Sequence, residues 1–156
     1  MSSRAARRGA AASFDLGRFL PYLINRAGVR LAVAFSAEIA RHKVGLQDWR
    51  VLAGVHVAGP SRLGDLSILT SIEMSTLSRL VGRMMRAGLV DRAREDGDRR
   101  AVRIELTAKG RQVVGAIVPL AHEYERTALS GFTFREAQSL RRMLARVFRN
   151  LDALPQ

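Results

Sequence analysis

STLSRLVGRMMRAGLVDRAREDGDRRAVRIELTAKG, residues 75–110, decides how the rest of the chain is read. In its first third Leu77, Leu80, Val81, Met84 and Met85 recur at three- and four-residue steps, while Ser75, Arg79, Gly82, Arg83 and Arg86 fall on the other side. That is an amphipathic helix with one apolar and one polar-cationic face, closed by Gly88. The period then changes. Val90 to Arg94 and Ala101 to Leu106 flank a charged tip containing one glycine, and Val102, Ile104 and Leu106 alternate with Arg103 and Glu105. An alternation of two around a glycine-bearing tip predicts a β-hairpin. Thr107 then supplies a hydroxyl where the next helix begins.

Upstream, SRLGDLSILT carries another short helical pattern, separated from the first by a break around Thr70 to Glu73. Before it, GLQDWRVLAGVHVAG places Leu46, Trp49, Leu52, Ala53 and His56 on one helix face and stops at Gly59-Pro60. A longer helix is predicted from Leu16 to about His42, with Pro21 tolerable only in its first turn or as a kink. Downstream, Val113, Ile117, Leu120, Ala121 and Tyr124 share a face of a helix expected to bend at Pro119. Thr133 and Glu136 form a capping box for the last helix, which runs through Leu140, Leu144, Val147 and Leu151. The expected fold is mainly α with a small β-hairpin wing. A winged helix-turn-helix at about 46–106 is flanked by dimerisation helices at about 16–42 and 107–153. Residues 1–12 read as a mobile basic arm ahead of a single domain, 13–156.

With 156 residues and 47% hydrophobic content the chain can bury one core. Its 26 Lys+Arg against 14 Asp+Glu give a formal charge of +12, which asks for a polyanionic partner. All but a few of the basic residues are arginine, suited to forked contacts with phosphate and guanine. Cysteine is absent, which rules out disulfides, thiolate-bound zinc and a thiol switch. No apolar run approaches the roughly 20 residues needed to span a bilayer. The Arg7-Arg8 pair is followed by no apolar segment of a secretory kind, so a cytoplasmic protein is expected. An enzyme finds no support: a glycine-rich phosphate loop, an HExxH pair and a nucleophile elbow are all missing.

A helix pair followed at once by a hairpin is a winged helix-turn-helix, whose second helix enters the major groove of double-stranded DNA. The hairpin tip can then reach the adjacent minor groove, whose narrow stretches attract arginine. Short hydroxyls at Ser75, Thr76 and Ser78 can approach phosphates and base edges, and Arg79 and Arg83 are long enough to fork onto guanine or phosphate. Arg94, Arg99 and Arg100 are the candidate wing contacts. Asp98, two residues before Arg100, can accept a hydrogen bond from a wing arginine and brace the turn. A nonspecific or architectural DNA-binding protein would need only the charge, and stands as the alternative.

From DWRVLAGV through DLSILTSIEMSTLSRLVGRMMRAGLVDR to DGDRRAVRIELTAKG the chain resembles the MarR family of bacterial transcriptional regulators. The resemblance implies a homodimer on pseudo-palindromic operator DNA, commonly a repressor released by a small aromatic or anionic effector. It places Ser75, Thr76, Ser78, Arg79 and Arg83 at recognition-helix contact positions and Arg100 where the wing enters the minor groove. It also implies a pocket between the dimer helices and the DNA-binding lobe, with Tyr22, Arg26, Trp49 and His56 as candidate walls. Two departures stand out: Gly45 replaces the usual threonine cap, and Gly82 sits where an acidic residue is common. The peroxide-sensing thiol of some members is excluded here. No cofactor is implied. His122 and Glu125 have the i, i+3 spacing that can place two metal ligands on one helix face, with His42 as a candidate third, but one His and one Glu on a charged helix read as solvated surface, and no metal site is assigned.

Overall fold

The computed structural model describes residues 14–95, 98–151 and 153; for 94, 95 and 98–101 it describes the backbone alone. After a single 3-10 turn at Leu16–Arg18, capped by the Asp15 carboxylate accepting from the Gly17 amide at 2.8 Å, helix α1 spans Leu20–Ile39. Pro21 lies in its first turn, where a missing N–H costs nothing. A second 3-10 turn, Ala40–His42, ends with Lys43 in the left-handed region at φ 59° and redirects the chain into α2, Leu46–Ala58. The helix expected from residue 16 to 42 therefore exists, but with a tighter turn at each end.

Strand β1, Ser61–Arg62, leads into α3, Leu63–Thr70, and α4, Met74–Arg86. Strands β2, Val90–Glu95, and β3, Asp98–Leu106, form the wing. All three strands make one antiparallel sheet of order β1-β3-β2, with Ser61 opposite Ile104 and Val90 opposite Leu106. Sequence reading finds the hairpin and misses β1. A two-residue strand has no periodicity, and it forms only because β3 offers it an edge.

Helix α5, Ala108–Ala128, runs through Pro119 without interruption. The bond that proline cannot make would go to the carbonyl of Gly115, an exposed residue that water can serve. Helix α6, Phe134–Leu151, begins at the predicted capping box: Thr133 donates through both its amide and its hydroxyl to Glu136, at 2.8 and 2.7 Å.

The core gathers Ile39, Leu52 and Val51 from the first two helices, Leu66 from α3, Leu77, Val81 and Met84 from α4, Ile104 from the sheet and Val114 and Ile117 from α5. It holds α4 and the wing as one unit with the start of α5. Its ends are different in kind. Helix α6 buries only Ala137, and Phe19, Leu20 and Leu23 together with Leu144, Phe148 and Leu151 lie open to solvent.

Candidate nucleic-acid interface

The turn between α3 and α4 is built from three short polar residues. Thr70 donates to the Leu66 carbonyl at 2.6 Å, Ser67 donates to the Ile72 carbonyl at 2.7 Å, and Ser71 takes a left-handed conformation at φ 53°. Ile72 is buried beneath them, so the turn angle is fixed from inside. That fixes how α4 leaves the body.

At the start of α4 the Glu73 carboxylate accepts from the amides of Ser75, at 2.9 Å, and Thr76, at 3.1 Å, and from the Ser75 hydroxyl. These bonds favour the charged form and hold the carboxyl down at about 2, against an ordinary 4.5, the Ser75 hydroxyl acting most strongly. Because the folded value lies below the ordinary one, the contribution to helix stability is complete above about pH 4.5 and is lost as pH falls through about 2. A carboxyl carbon titration by NMR should give a Glu73 midpoint near 2. A midpoint near 4.5 would mean that the cap is absent in solution.

Leu77, Leu80, Val81 and Met84 point into the core, which turns Ser75, Ser78, Arg79 and Arg83 outward; Thr76 is half-buried. The Arg79 guanidinium makes only a long 3.4 Å contact to the Thr76 hydroxyl, so it remains available to a ligand. Beside Gly82 an added Cβ would meet nothing nearer than the tip of Arg86 at 3.9 Å, so the small side chain answers no need within the protein.

Arg83 is tied down more firmly. It donates to Asp48 of α2 at 2.6 Å, and the other Asp48 oxygen accepts from the Gly45 amide at 3.2 Å. Asp48 thus serves two helices, completing the N-terminus of α2 in the absence of a threonine cap and anchoring α4. Sequence reading misses Asp48 because its partner is 35 residues away. The signal that could have found it is an acid at the third position of a helix whose N-cap has no side chain.

The wing's backbone pairs Arg94 with Val102 and Glu95 with Asp98, with a register shift between Arg94 and Glu95. The hairpin thereby carries Asp98, Arg99 and Arg100 at its far end. Their side chains and that of Arg94 lie outside the described residues, so the brace and the wing contacts are not visible. At its near end the wing is locked to both neighbouring helices. Thr107 donates to the Gly88 carbonyl at 2.7 Å and accepts from the Gly110 amide at 3.0 Å, while Lys109 reaches the Ala87 carbonyl at 2.7 Å. Gly88 supports this by adopting φ +71°, which lets the chain reverse out of α4.

A family model described as "MarR family" matches residues 42–101, from the turn before α2 into β3. The HTH-type transcriptional regulator PecS of Dickeya dadantii is 30% identical over 131 residues, covering 82% of this chain and 79% of PecS. The chain belongs to the MarR family. The HTH-type transcriptional repressor IacR of Pseudomonas putida is 33% identical over 106 residues, covering 68% of this chain and 64% of IacR. The chain therefore spans just under two thirds of IacR. Among solved structures, a MarR-family transcriptional regulator from Silicibacter pomeroyi superposes with a TM-score of 0.79 at 27% identity, covering 91% of this chain and 96% of that one. BpsR of Bordetella bronchiseptica, whose DNA binding is regulated by 6-hydroxynicotinic acid, does so with a TM-score of 0.72 at 25% identity, covering 82% and 97%. The mainly helical fold with its small hairpin wing is that of the MarR structures.

The four residues expected to wall an effector pocket are not gathered together. Tyr22 and Arg26 line an open groove of about 540 Å³ on α1 with Arg30, Val33 and Ala34. Arg30 and Ala34 also border a second groove of about 550 Å³, whose far wall is Glu123, Tyr124 and Thr127 of α5. Trp49 is half-buried and packs edge-on against Phe35 at 5.9 Å, and Phe35 in turn meets Tyr124 at 5.5 Å. His56 is exposed on the outer side of α2, because Val51, Leu52 and Val55 form the buried face. Arg30 could have been found from the sequence as the residue one helical turn after Arg26.

Glu125, considered beside His122 and His42 as a metal ligand, instead holds Arg141 at 2.8 Å. Among the described residues there is no group of three or more His, Cys, Asp or Glu side chains placed to hold a metal, and no helix is long and apolar enough to cross a membrane.

Proposed function

We propose that the protein is a homodimeric, sequence-specific transcriptional repressor that acts in the cytoplasm on a pseudo-palindromic operator and is released by a small anionic aromatic effector. One observation carries most of this reading: α4 buries one face completely and presents Ser75, Ser78 and an uncommitted Arg79 on the other, immediately ahead of an arginine-rich hairpin. Helix α4 is the recognition helix. Ser78 and Arg79 address base edges, while Thr76 approaches the backbone at the helix start and Ser75 can donate there only by releasing Glu73. Arg94, Arg99 and Arg100 take the minor groove, with Asp98 bracing the wing. Arg83, held by Asp48, sets the pitch of α4 and touches a phosphate only with what that ion pair leaves free. Twofold symmetry then sets the two recognition helices roughly 34 Å apart.

The term repressor follows IacR, and the effector class follows BpsR, whose regulating ligand is a hydroxylated aromatic acid. The grooves bordering α1 suit such a molecule: Arg26 and Arg30 offer cations, and Tyr22 and Tyr124 offer rings. An effector can act only by binding more tightly to a dimer whose recognition helices are wrongly spaced.

The test is selection of genomic fragments by the purified protein, followed by competition with bulk DNA. A preferred inverted repeat is expected; equal competition by random DNA would leave only charge-driven binding. In Arg79→Ala, affinity for that repeat should fall by about 1–3 kcal/mol with little change on random DNA. Equal losses on both would reassign Arg79 to a phosphate.

A further inference from the structure

Helix α6 carries a second cationic feature that nothing in the recognition helix or wing uses. Arg135, Arg142, Arg146 and Arg149, with Ser139 between them, are spaced 4, 3, 4 and 3 residues apart and so form one row along the helix. All four arginines are exposed, and three of them line an open groove of about 410 Å³ with Ser139 and Met143. Leu140, Leu144, Val147 and Leu151 occupy the opposite side of the same helix. Burying that apolar side in a dimer turns the arginine row outward.

Among the described residues the row has no counter-charge of its own. None of the four arginines has a hydrogen-bond or ion-pair partner among the described residues, although Arg141, one step off the row, holds Glu125 at 2.8 Å. Of the described carboxylates, Glu125 is committed to Arg141 and Glu136 to the Thr133 cap. A second copy of the chain brings the same shortage, since each copy carries a surplus of 12 positive charges. The described residues offer the row no neutralising partner, which points to a different molecule. The row spans about 21 Å at 1.5 Å per residue, over which a duplex presents a dense line of phosphates, one charge per roughly 1.7 Å of axis. Arginine at all four charged positions of the row suits phosphodiester oxygens.

We propose that the Arg135–Arg142–Arg146–Arg149 row of α6 is a second, sequence-independent docking surface for the DNA phosphate backbone. This rests on the DNA-binding reading above. The backbone is that of a separate duplex, because α6 meets α5 at Glu125, about 27 Å along that helix from the wing.

The test compares the full-length protein with Arg142→Gln/Arg146→Gln/Arg149→Gln, a change that preserves helix propensity and leaves α4 and the wing untouched. Binding to a 40-base-pair nonspecific duplex should weaken about tenfold or more at low salt. The slope of log affinity against log salt should become shallower by about 2 or more, at roughly 0.9 for each phosphate that is no longer neutralised. Two-colour complexes formed by the unaltered protein and absent with the variant are the expected result. A deficit seen only when the operator carries long flanks would overturn the proposal, since the row would then serve the operator duplex. Equal slopes and affinities for both proteins on every DNA would overturn the proposal. So would phosphatidylserine vesicles that bind the unaltered protein and not the variant while DNA binding stays the same. If the unaltered protein shows no operator preference, the regulator reading fails, yet the slope comparison on nonspecific DNA still decides the role of α6.

Discussion

Gly110→Ala is expected to cost about 3 kcal/mol or more, lowering the thermal midpoint by roughly 10 °C for a chain of this size. A Cβ at this position would fall far inside van der Waals distance of the Leu89 carbonyl oxygen, at 3.0 Å from its carbon and 3.3 Å from the Leu106 side chain. That carbonyl is held in place because it also accepts from the Thr107 amide at 3.2 Å, while the Thr107 hydroxyl holds the adjoining Gly88 carbonyl at 2.7 Å. Relief would require the first turn of α5 to separate from the end of α4, breaking the bonds of Thr107 and Lys109 together. Gly115→Ala on the same helix supplies the control. Nothing lies within 4 Å of its added Cβ, so ordinary helix propensity predicts a gain of up to about 1 kcal/mol. A melting curve in which both variants match the parent protein would show that the close approach at Gly110 does not exist in solution.

A comparably large effect is expected from Leu144→Asp/Phe148→Asp, this time on assembly. Both residues are exposed in the single chain, at 43% and 56%, so charging them leaves its core intact. Together with Phe19, Leu20 and Leu23 they leave large apolar side chains open near both chain ends, the kind of surface that marks an interaction site. If that surface is the subunit interface, the variant sediments as a monomer at micromolar concentration. Its affinity for the full inverted repeat falls by about 10²–10⁴, because the second recognition helix no longer binds as part of the same particle. Affinity for an isolated half-site stays within about twofold. A variant that remains dimeric, or that keeps full operator affinity as a monomer, would place the interface elsewhere.

What the sequence makes legible is whatever is repeated locally. The stripe of Leu77, Leu80, Val81 and Met84, the alternation through Val102, Ile104 and Leu106, and the Thr133–Glu136 capping box each express a period or spacing that a single segment contains. The family resemblance lies in the same stretch. What escapes depends on distant partners. Strand β1 exists because Ile104 and Arg103 lie beside it. Asp48 has its second role only because Arg83 arrives from another helix. Spacing from Leu52 puts His56 on the apolar face of α2, but the buried face of Val51, Leu52 and Val55 ends short of His56. A helix with hydrophobic residues on several sides does not reveal which of them the core will take. The second groove escapes for a related reason, because a groove between α1 and α5 belongs to neither helix alone.

The occupied N-terminus of α4 has one more consequence. The free amides of a helix start ordinarily make a ready seat for any phosphate, but in this protein the Glu73 carboxylate already sits there, bonded to Ser75 and Thr76. A passing duplex is therefore denied the cheapest anchor that a recognition helix can offer, and meets a negative group in its place. What grip the helix still has must come from the side chains along its outer face, so a larger share of its hold depends on which bases lie beneath them.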